Sequence, residues 1–351
     1  MNINDLTKQP GEWLSGTGPQ HEIIISSRVR LARNLSGFPF MSKATRNQRA
    51  ELHRTCRDHL LGLHSDRSLF YVDMDKTNEI DRQLLVERHL ISKQHAAGEG
   101  SRGVAVSSDE AVSVMVNEED HLRLQVLRSG FQLQEAWTEA DRLDDMLQEH
   151  MQYAFSQRFG YLTACPTNLG TGLRISVMLH LPALKLTGDI EKVFRAAKDM
   201  HLAVRGLYGE GTEAIGDFFQ ISNQTTLGRA ESEILHEFND VIIPRIIMAE
   251  VSARQILENE RPLSLDDKIG RAIGVLTHAR LLSSEETLFF LSHLRLGVVM
   301  KRVTGLDLST INALFLQTQP AHLQRALGKP LDGDARKAAR AEYIRAKLGK
   351  L

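Results

Sequence analysis

Between residues 111 and 127 the chain alternates with a period of two. Val112, Val114 and Val116 recur on one side, and after Asn117-Glu118-Glu119-Asp120 the pattern resumes at Leu122, Leu124 and Val126. Successive side chains of a strand point to opposite faces, so this stretch predicts two strands joined at an acidic turn. Arg123 falls on the face opposite the leucines. The same period runs through LRISVMLHL (173–181), with Arg174 at its start. It also marks the opening of HEIIISSRVRLARN (21–34), where Arg28 and Arg30, two apart, share a face. A period near 3.6 takes over in TRNQRAELHRTCRDHLLGLH (45–64), where Leu52, Cys56, His59 and Leu63 recur on one side. That predicts a helix, with Cys56 as a small core residue. EIDRQLLVERHLIS (79–92) predicts a short helix leading into a loop around AAGEGSRG. Helical spacing continues from residue 135 through Leu143, Leu147, Met151 and Ala154, with Gly160 as the stop.

Strand patterns fade after about residue 229. EILHEFNDVIIPRIIMAEVSARQILEN predicts a helix kinked at Pro244. SLDD (264–267) and SSEE (283–286) read as helix starts, and Ser283 with Glu286 fits a capping box. The pattern therefore predicts an α/β or α+β body over 1–255 and an all-α segment over 256–351.

Composition narrows the possibilities. A chain of 351 residues, 42% hydrophobic, buries a sizeable core. A net charge of −1 gives no general attraction to nucleic acid or membranes. Cys56 and Cys165 are too far apart in sequence to suggest a disulfide framework or a zinc site, which fits a reduced, intracellular protein. The N-terminus lacks a basic start followed by an apolar run, and VIIPRIIMA is too short to span a bilayer. The expectation is a soluble, cytoplasmic protein.

The chain has no G-x-x-x-x-G-K-[ST], H-E-x-x-H or G-x-S-x-G pattern. It has instead arginines at strand ends and loop edges: Arg28, Arg30, Arg123, Arg174 and Arg205. A guanidinium on a rigid strand presents a planar fork to phosphate oxygens at any relevant pH. Converging forks would bind a triphosphate where other folds use backbone amides and a lysine. From residues alone the alternative is a set of solvated surface arginines. Two acidic elements accompany them, NEED (117–120) and RGLYGEGTE (205–213), in which glycines surround Glu210. Turn acids are ordinarily solvated; a catalytic role needs a substrate that calls for two carboxylates.

SSRVRLARN (26–34), NEEDHLR (117–123), CPTNLGTGLR (165–174) and RGLYGE (205–210) occur in this order. Together they resemble the signature motifs of the phosphagen (ATP:guanidino) kinases. GYLTACPTNLGTG, HLPAL, VRGLYGEGTEA and FQISNQTTLG further resemble the bacterial protein arginine kinase branch. The resemblance implies a catalytic domain with an antiparallel sheet flanked by helices, followed by an all-α C-terminal domain that regulates and dimerises. Small-metabolite members carry a helical domain of about one hundred residues before the first motif, whereas 25 residues precede Ser26 here. The implied reaction moves the γ-phosphoryl of ATP onto arginine side chains of proteins, marking them for regulation or for a Clp-type protease. Mg2+ would arrive with the nucleotide, and an activator protein belongs to the same picture. A kinase of free arginine and a non-catalytic phosphoarginine-binding adaptor are the alternatives.

Carried over by position, the resemblance assigns ATP binding to Ser26, Ser27, Arg28, Val29 and Arg30, to His89 and Arg123, and to Arg174, Ile175, Ser176, Val177 and Met178. It assigns Arg205, Gly206, Leu207, Tyr208, Gly209 and Glu210 to the same pocket. Glu119 and Glu210 match the carboxylates that bind the guanidinium, and Cys165 matches the thiol beside it. A guanidinium has a pKa above about 12 and is a poor nucleophile; two carboxylates orient it and draw off a proton as the N–P bond forms. In the branch an R-D-x-x-R-A motif lines a regulatory phosphoarginine pocket. Here the stretch is RKAARA (336–341), which keeps Arg336 and Arg340 but places Lys337 where the acid stands. A solvated basic helix is the plain alternative for this stretch.

Overall fold

The computed structural model describes residues 3–7, 10–63, 67–206 and 215–349. Its strands are β1 (Ile24–Arg33), β2 (Leu69–Asp73), β3 (Gly103–Ser107), β4 (Val112–Val116) and β5 (Leu122–Ser129), followed by β6 (Phe155–Ser156), β7 (Gly160–Tyr161), β8 (Leu173–His180), β9 (Leu202–Arg205) and β10 (Phe218–Asn223). Eight of them form one antiparallel sheet in the order β2-β3-β4-β5-β1-β8-β10-β9, and β6 and β7 form a separate hairpin. The alternation read between 111 and 127 is the β4–β5 pair, with Val116 opposite Leu122.

The helices are α1 (Ile3–Leu6), α2 (Arg46–Gly62), α3 (Glu79–Glu87), α4 (Lys93–Ala97), α5 (Leu133–Gln148), α6 (Pro182–Thr187) and α7 (Ile190–Asp199). They continue as α8 (Glu231–His236), α9 (Ile243–Glu260), α10 (Pro262–His278), α11 (Ser284–Val299), α12 (Leu308–Gln317), α13 (Pro320–Leu327) and α14 (Gly333–Leu348). Leu52, Cys56 and Leu60 of α2 and Ala140, Leu143 and Leu147 of α5 share one core with Val29, Leu31, Leu124, Ile175 and Val177 of the sheet. Each fully buried aliphatic side chain of this kind contributes about 1.5–3 kcal/mol. Burial pushes the Cys56 thiol up to about 12, as befits a core residue.

On the other face the α3–α4 region packs Leu85, Val86, Leu90 and Ile91 against Met115. Leu127, Met178 and Phe218 meet Leu276, Leu288, Leu314, Phe315 and Ile344 of the C-terminal helices. Val86, Ile91 and Met115 of the first of these regions also line the cleft that holds the candidate site.

Three sequence expectations are corrected. The helix expected to run from residue 135 to Gly160 ends at Gln148. Its 3.6 spacing continues by coincidence: Tyr153 bridges Leu35, the Ala154 amide donates to the Asn34 carbonyl, and the chain turns into the β6–β7 hairpin. SLDD lies inside α10, which starts at Pro262, where the missing N–H costs nothing. At Pro244 the helix does not simply kink. It widens into a π-helical turn over Glu237–Ile242, which accommodates the proline ring and its absent donor. Ser283 caps α11 with the expected box. The expected division near residue 255 falls inside α9, which runs unbroken to Glu260.

Candidate active site

The five arginines converge, and strand register explains how. Arg30 lies opposite Arg174 and Arg28 opposite Ser176 across β1–β8. Ala32 pairs Arg123 across β1–β5, and Gln220 of β10 pairs both Met178 and Arg205. Directly paired residues share a face, so all five guanidinium-bearing side chains rise from one face of the sheet, on β5, β1, β8 and β9. They line a cleft of about 470 Å3 together with His89, Ser92, Glu118, Glu119, Gln125 and Gln220, with Cys165, Thr167 and Asn168 on another wall.

Among the described residues the cleft is lined by more cationic than anionic side chains. Burial and the neighbouring Arg123, Arg174 and Arg205 push the Arg28 guanidinium down to about 9. Burial, followed by Arg28, Arg123 and Arg174, lowers Arg30 well below its ordinary value. Arg28 is aimed by donating Nε–H to Ser176 Oγ (3.1 Å) and a terminal N–H to Gln220 Oε1 (2.6 Å). For Arg123 burial also works against the charge, but Glu118 at 2.8 Å more than offsets it and holds the group above its ordinary value. Burial alone would raise the Glu118 carboxyl. Arg123, the Ser92 hydroxyl (2.5 Å) and the Glu119 amide (3.2 Å) bring it down to about 2 instead.

His89 sits at the inner end with a left-handed φ of 58° and its ring edge-on to Trp13, centroids 4.9 Å apart. Burial and then Arg28 push its imidazole down to about 3. The ring is therefore neutral and offers hydrogen bonds rather than charge. Ser26, Ser176 and Met178 lie in the adjoining recess.

The alternate positions do not join the cleft. Ser27, Val29, Ile175 and Val177 are fully buried. Ser27 binds the Gly130 carbonyl and the Gln132 amide, and the other three belong to the core under α2 and α5. Their side chains face the core and not the cleft. Gly206 follows β9 and is buried. Leu207, Tyr208, Gly209 and Glu210 lie outside the described residues.

The acidic turn and the thiol loop are tied together by side chains that sequence reasoning did not single out. Asp120 accepts from Asn34 Nδ2 and from the Ala164 amide, both at 2.7 Å. Asn34 Nδ2 also donates to the Leu162 carbonyl, and its Oδ1 accepts the His121 amide. Arg33, buried at the end of β1, pairs with Asp144 at 2.7 Å and donates to the Thr171 carbonyl of the glycine loop. Cys165 is half-buried, its Sγ 3.0 Å from Thr167 Oγ1. Glu119 and Cys165 thus border one cleft with the arginines, although 46 positions separate them.

In the C-terminal helices Arg340 is buried and donates to the carbonyls of Thr318 (2.7 Å) and Leu282 (2.9 Å). Burial and Arg336 push it down to about 10. Arg336 instead borders a separate cleft of about 1110 Å3 with Asn78, Glu79, Gln324, Arg325 and Lys329. Lys337 pairs with Asp334 at 3.1 Å.

Residues 51–253 match the family model for the C-terminal catalytic domain of ATP:guanido phosphotransferases. Residues 262–351 match that for the C-terminal domain of protein-arginine kinase McsB. The chain is 46% identical to the protein-arginine kinase of Halothermothrix orenii, over 99% of each chain. It is 47% identical to that of Symbiobacterium thermophilum, again over 99% of each. Identity to that of Moorella thermoacetica is 48%, over 97% of this chain and 98% of the relative. Among solved structures, lombricine kinase superposes with a TM-score of 0.58 at 27% identity, covering 73% of this chain and 71% of that one. The duplicated taurocyamine kinase of Schistosoma mansoni gives 0.57 at 28% identity, covering 74% of this chain and 36% of that protein. The chain belongs to the ATP:guanido phosphotransferase family, in its protein-arginine kinase branch.

Proposed function

We propose that this protein transfers the γ-phosphoryl group of ATP to the guanidinium of arginine side chains in proteins. The observation that carries the reading is the convergence of Arg28, Arg30, Arg123, Arg174 and Arg205 on one sheet face, opening onto Glu119 and Cys165. Half-buried, mutually repelling cations on one sheet face suit a polyanion such as a triphosphate. Arg28, Arg30, Arg174 and Arg205 hold its oxygens, Arg123 is aimed at it by Glu118, and neutral His89 lies against the base or ribose. Mg2+, entering with the nucleotide, supplies further neutralisation of the phosphates.

The acceptor guanidinium meets Glu119, which orients one nitrogen in line with the γ-phosphorus and takes up its proton as the N–P bond forms. Glu210 is assigned the partner carboxylate by its motif. Cys165 adds a polarisable sulfur beside the guanidinium. Charge that builds on the transferring oxygens is met by the arginine forks, where donors fixed before reaction contribute most.

The same reading extends to partners. Met248, Val251, Leu263, Leu281 and Phe289 are exposed apolar side chains on and between α9, α10 and α11; they give the helical region 256–351 and the helix before it a surface for a homodimer, read by light scattering. An activator protein and delivery of marked proteins to a Clp-type protease complete the proposal. No helix among the described residues is long and apolar enough to cross a membrane.

The test is labelled ATP with Mg2+, offered free arginine or an unfolded protein in separate reactions. Acid-labile label on the protein alone, lost in Glu119→Gln, supports the reading. Label on free arginine moves the activity to a small-guanidine kinase, and nucleotide binding with no label in either reaction supports an adaptor.

A further inference from the structure

A protein kinase must hold the chain that carries its target arginine, and the arginine-lined cleft has no role left over for that. Beside it stands an apolar edge. Phe155 is 59% exposed and Phe159 39%, both on the β6–β7 hairpin, and Leu227 is 47% exposed on the segment after β10. Exposed large apolar side chains gathered on one part of a surface often mark a contact site.

These residues belong to one rigid unit with the thiol loop. Tyr161 and Gly170 exchange backbone hydrogen bonds, and Thr226 Oγ1 donates to the Leu169 carbonyl at 2.7 Å. The backbones are stacked too closely for side chains between them. A Cβ on Gly160 would meet the Gly170 carbonyl oxygen at 2.5 Å, and one on Gly170 would meet the Leu227 Cα at 2.9 Å. Both glycines also have positive φ, 73° and 107°, a backbone region L side chains avoid. The hairpin is anchored from within as well. Tyr161 lies 5.3 Å from the Phe155 ring on one side and 3.6 Å from the buried Arg33 guanidinium on the other.

The loop that contributes Cys165, Thr167 and Asn168 to the cleft is therefore paired with the hairpin that carries Phe155 and Phe159, which places the apolar side chains on the segments next to the cleft. We propose that Phe155, Phe159 and Leu227 form a docking surface for the polypeptide that presents the target arginine, selecting apolar and aromatic residues next to that arginine in an unfolded segment. The inference rests on the kinase reading and deepens it by naming the substrate class. The Arg158 guanidinium lies 5.0 Å from the Phe159 ring.

The test uses the full-length protein and two synthetic peptides with one arginine each, flanked either by glycine and serine or by leucine and phenylalanine. Binding is read by fluorescence anisotropy and turnover by label transfer, for the wild type and for Phe155→Ser/Phe159→Ser. The wild type should favour the apolar-flanked peptide about tenfold in both affinity and kcat/KM, the scale of partly burying one or two side chains. The double variant should bring that ratio to about one while the KM for ATP and the handling of the glycine-flanked peptide stay unchanged. A wild type without preference, or a variant that keeps it, overturns the proposal. So does a variant that changes only the oligomeric state, which would make the edge a contact between copies. If neither peptide is phosphorylated the kinase reading fails, and the binding ratio still decides the docking surface.

Discussion

Arg30 and Arg174 face each other directly across the β1–β8 ladder. Like charges in directly opposed positions destabilise a sheet, and Arg30 is half-buried, with its Nε shielded from solvent and lacking a hydrogen-bond partner among the described residues. An anion between the forks relieves that repulsion. Stability in the empty protein is given up for a site shaped to receive phosphate.

Arg30→Met should therefore stabilise the nucleotide-free protein while disabling it. Removing one like charge is expected to raise Tm by about 2 °C and to lower kcat/KM about 1000-fold. Thermal melts with and without ATP check this: the wild type gains stability on adding nucleotide, and the variant loses most of that gain. A variant that melts lower than the wild type without nucleotide would contradict the account.

Adjacent carboxylates in the acidic turn should behave differently. Glu118 is pinned by Arg123, Ser92 and a backbone amide, so Glu118→Gln should act through Arg123 and raise the KM for ATP about tenfold. Glu119 borders the cleft where the acceptor sits. Glu119→Gln should lower kcat by about 100- to 10,000-fold with the KM for ATP unchanged. Steady-state kinetics on the two variants separate the roles, and a reversed pattern would exchange them.

Much of this site was legible in the chain because strand periodicity carries it. Arg28 and Arg30 two apart must share a face, and the β4–β5 alternation put Arg123 opposite the leucines before any strand order was known. What joins them was not legible. Nothing in the spacing shows that β1 sits between β5 and β8, or that Asn34 and Asp120, 86 positions apart, bond to each other. Glu118 was hidden by its neighbour, since two consecutive glutamates in a turn give no sign of which one is buried. The hairpin was lost for the opposite reason: Met151 and Ala154 keep helical spacing, but Tyr153 and Ala154 pair with Leu35 and Asn34 just past β1, and tertiary hydrogen bonding overrides local period.

Nucleotide affinity should depend on a strut from the C-terminal helices. Glu87 accepts the Ala321 and His322 amides at the start of α13 (2.8 and 3.1 Å) and His322 Nδ1–H at 2.7 Å. The next residue, Arg88, pairs with Glu110 at 2.5 Å, and His89 follows in the cleft. Glu87→Ala leaves buried amides and an imidazole unsatisfied and should cost about 3 kcal/mol. It should raise the KM for ATP more than that for the arginine substrate. Urea unfolding together with both KM values checks this, and equal effects on the two substrates would argue against a strut.

Acid should destabilise the protein through histidine before it does so through carboxylates. Burial lowers the imidazoles of His95, to about 4, and of His180 and His322. As pH falls below the unfolded value near 6.5, the unfolded chain takes up protons that the native state refuses. Stability present above pH 6.5 is therefore lost on the way down toward the native values, by up to about 1.4 kcal/mol per pH unit for each such group. The Glu118 carboxyl, held at about 2, starts to contribute its own loss only below about pH 4.5. Urea midpoints between pH 7.5 and 4.5 should fall steadily, and His95→Gln should flatten the slope; a flat profile down to pH 5 would rule this out.

Arg336 and Arg340 share a helix face, but their surroundings give them different duties. Arg340 is spent on two backbone carbonyls that hold α14 against α12 and the Leu282 segment. Arg340→Ala should destabilise the helical region by about 3 kcal/mol through the buried acceptors it abandons, whatever ligand is present. Arg336 borders an open cleft, and Arg336→Ala should leave stability within about 0.5 kcal/mol of wild type. If that cleft takes phosphoarginine, added phosphoarginine raises the melting temperature of the wild type and has no effect on Arg336→Ala. Lys337 is turned toward Asp334, so Lys337→Asp places a carboxylate at the motif position and should strengthen the phosphoarginine shift. No shift in either the wild type or Lys337→Asp would leave the basic helix as a solvated face.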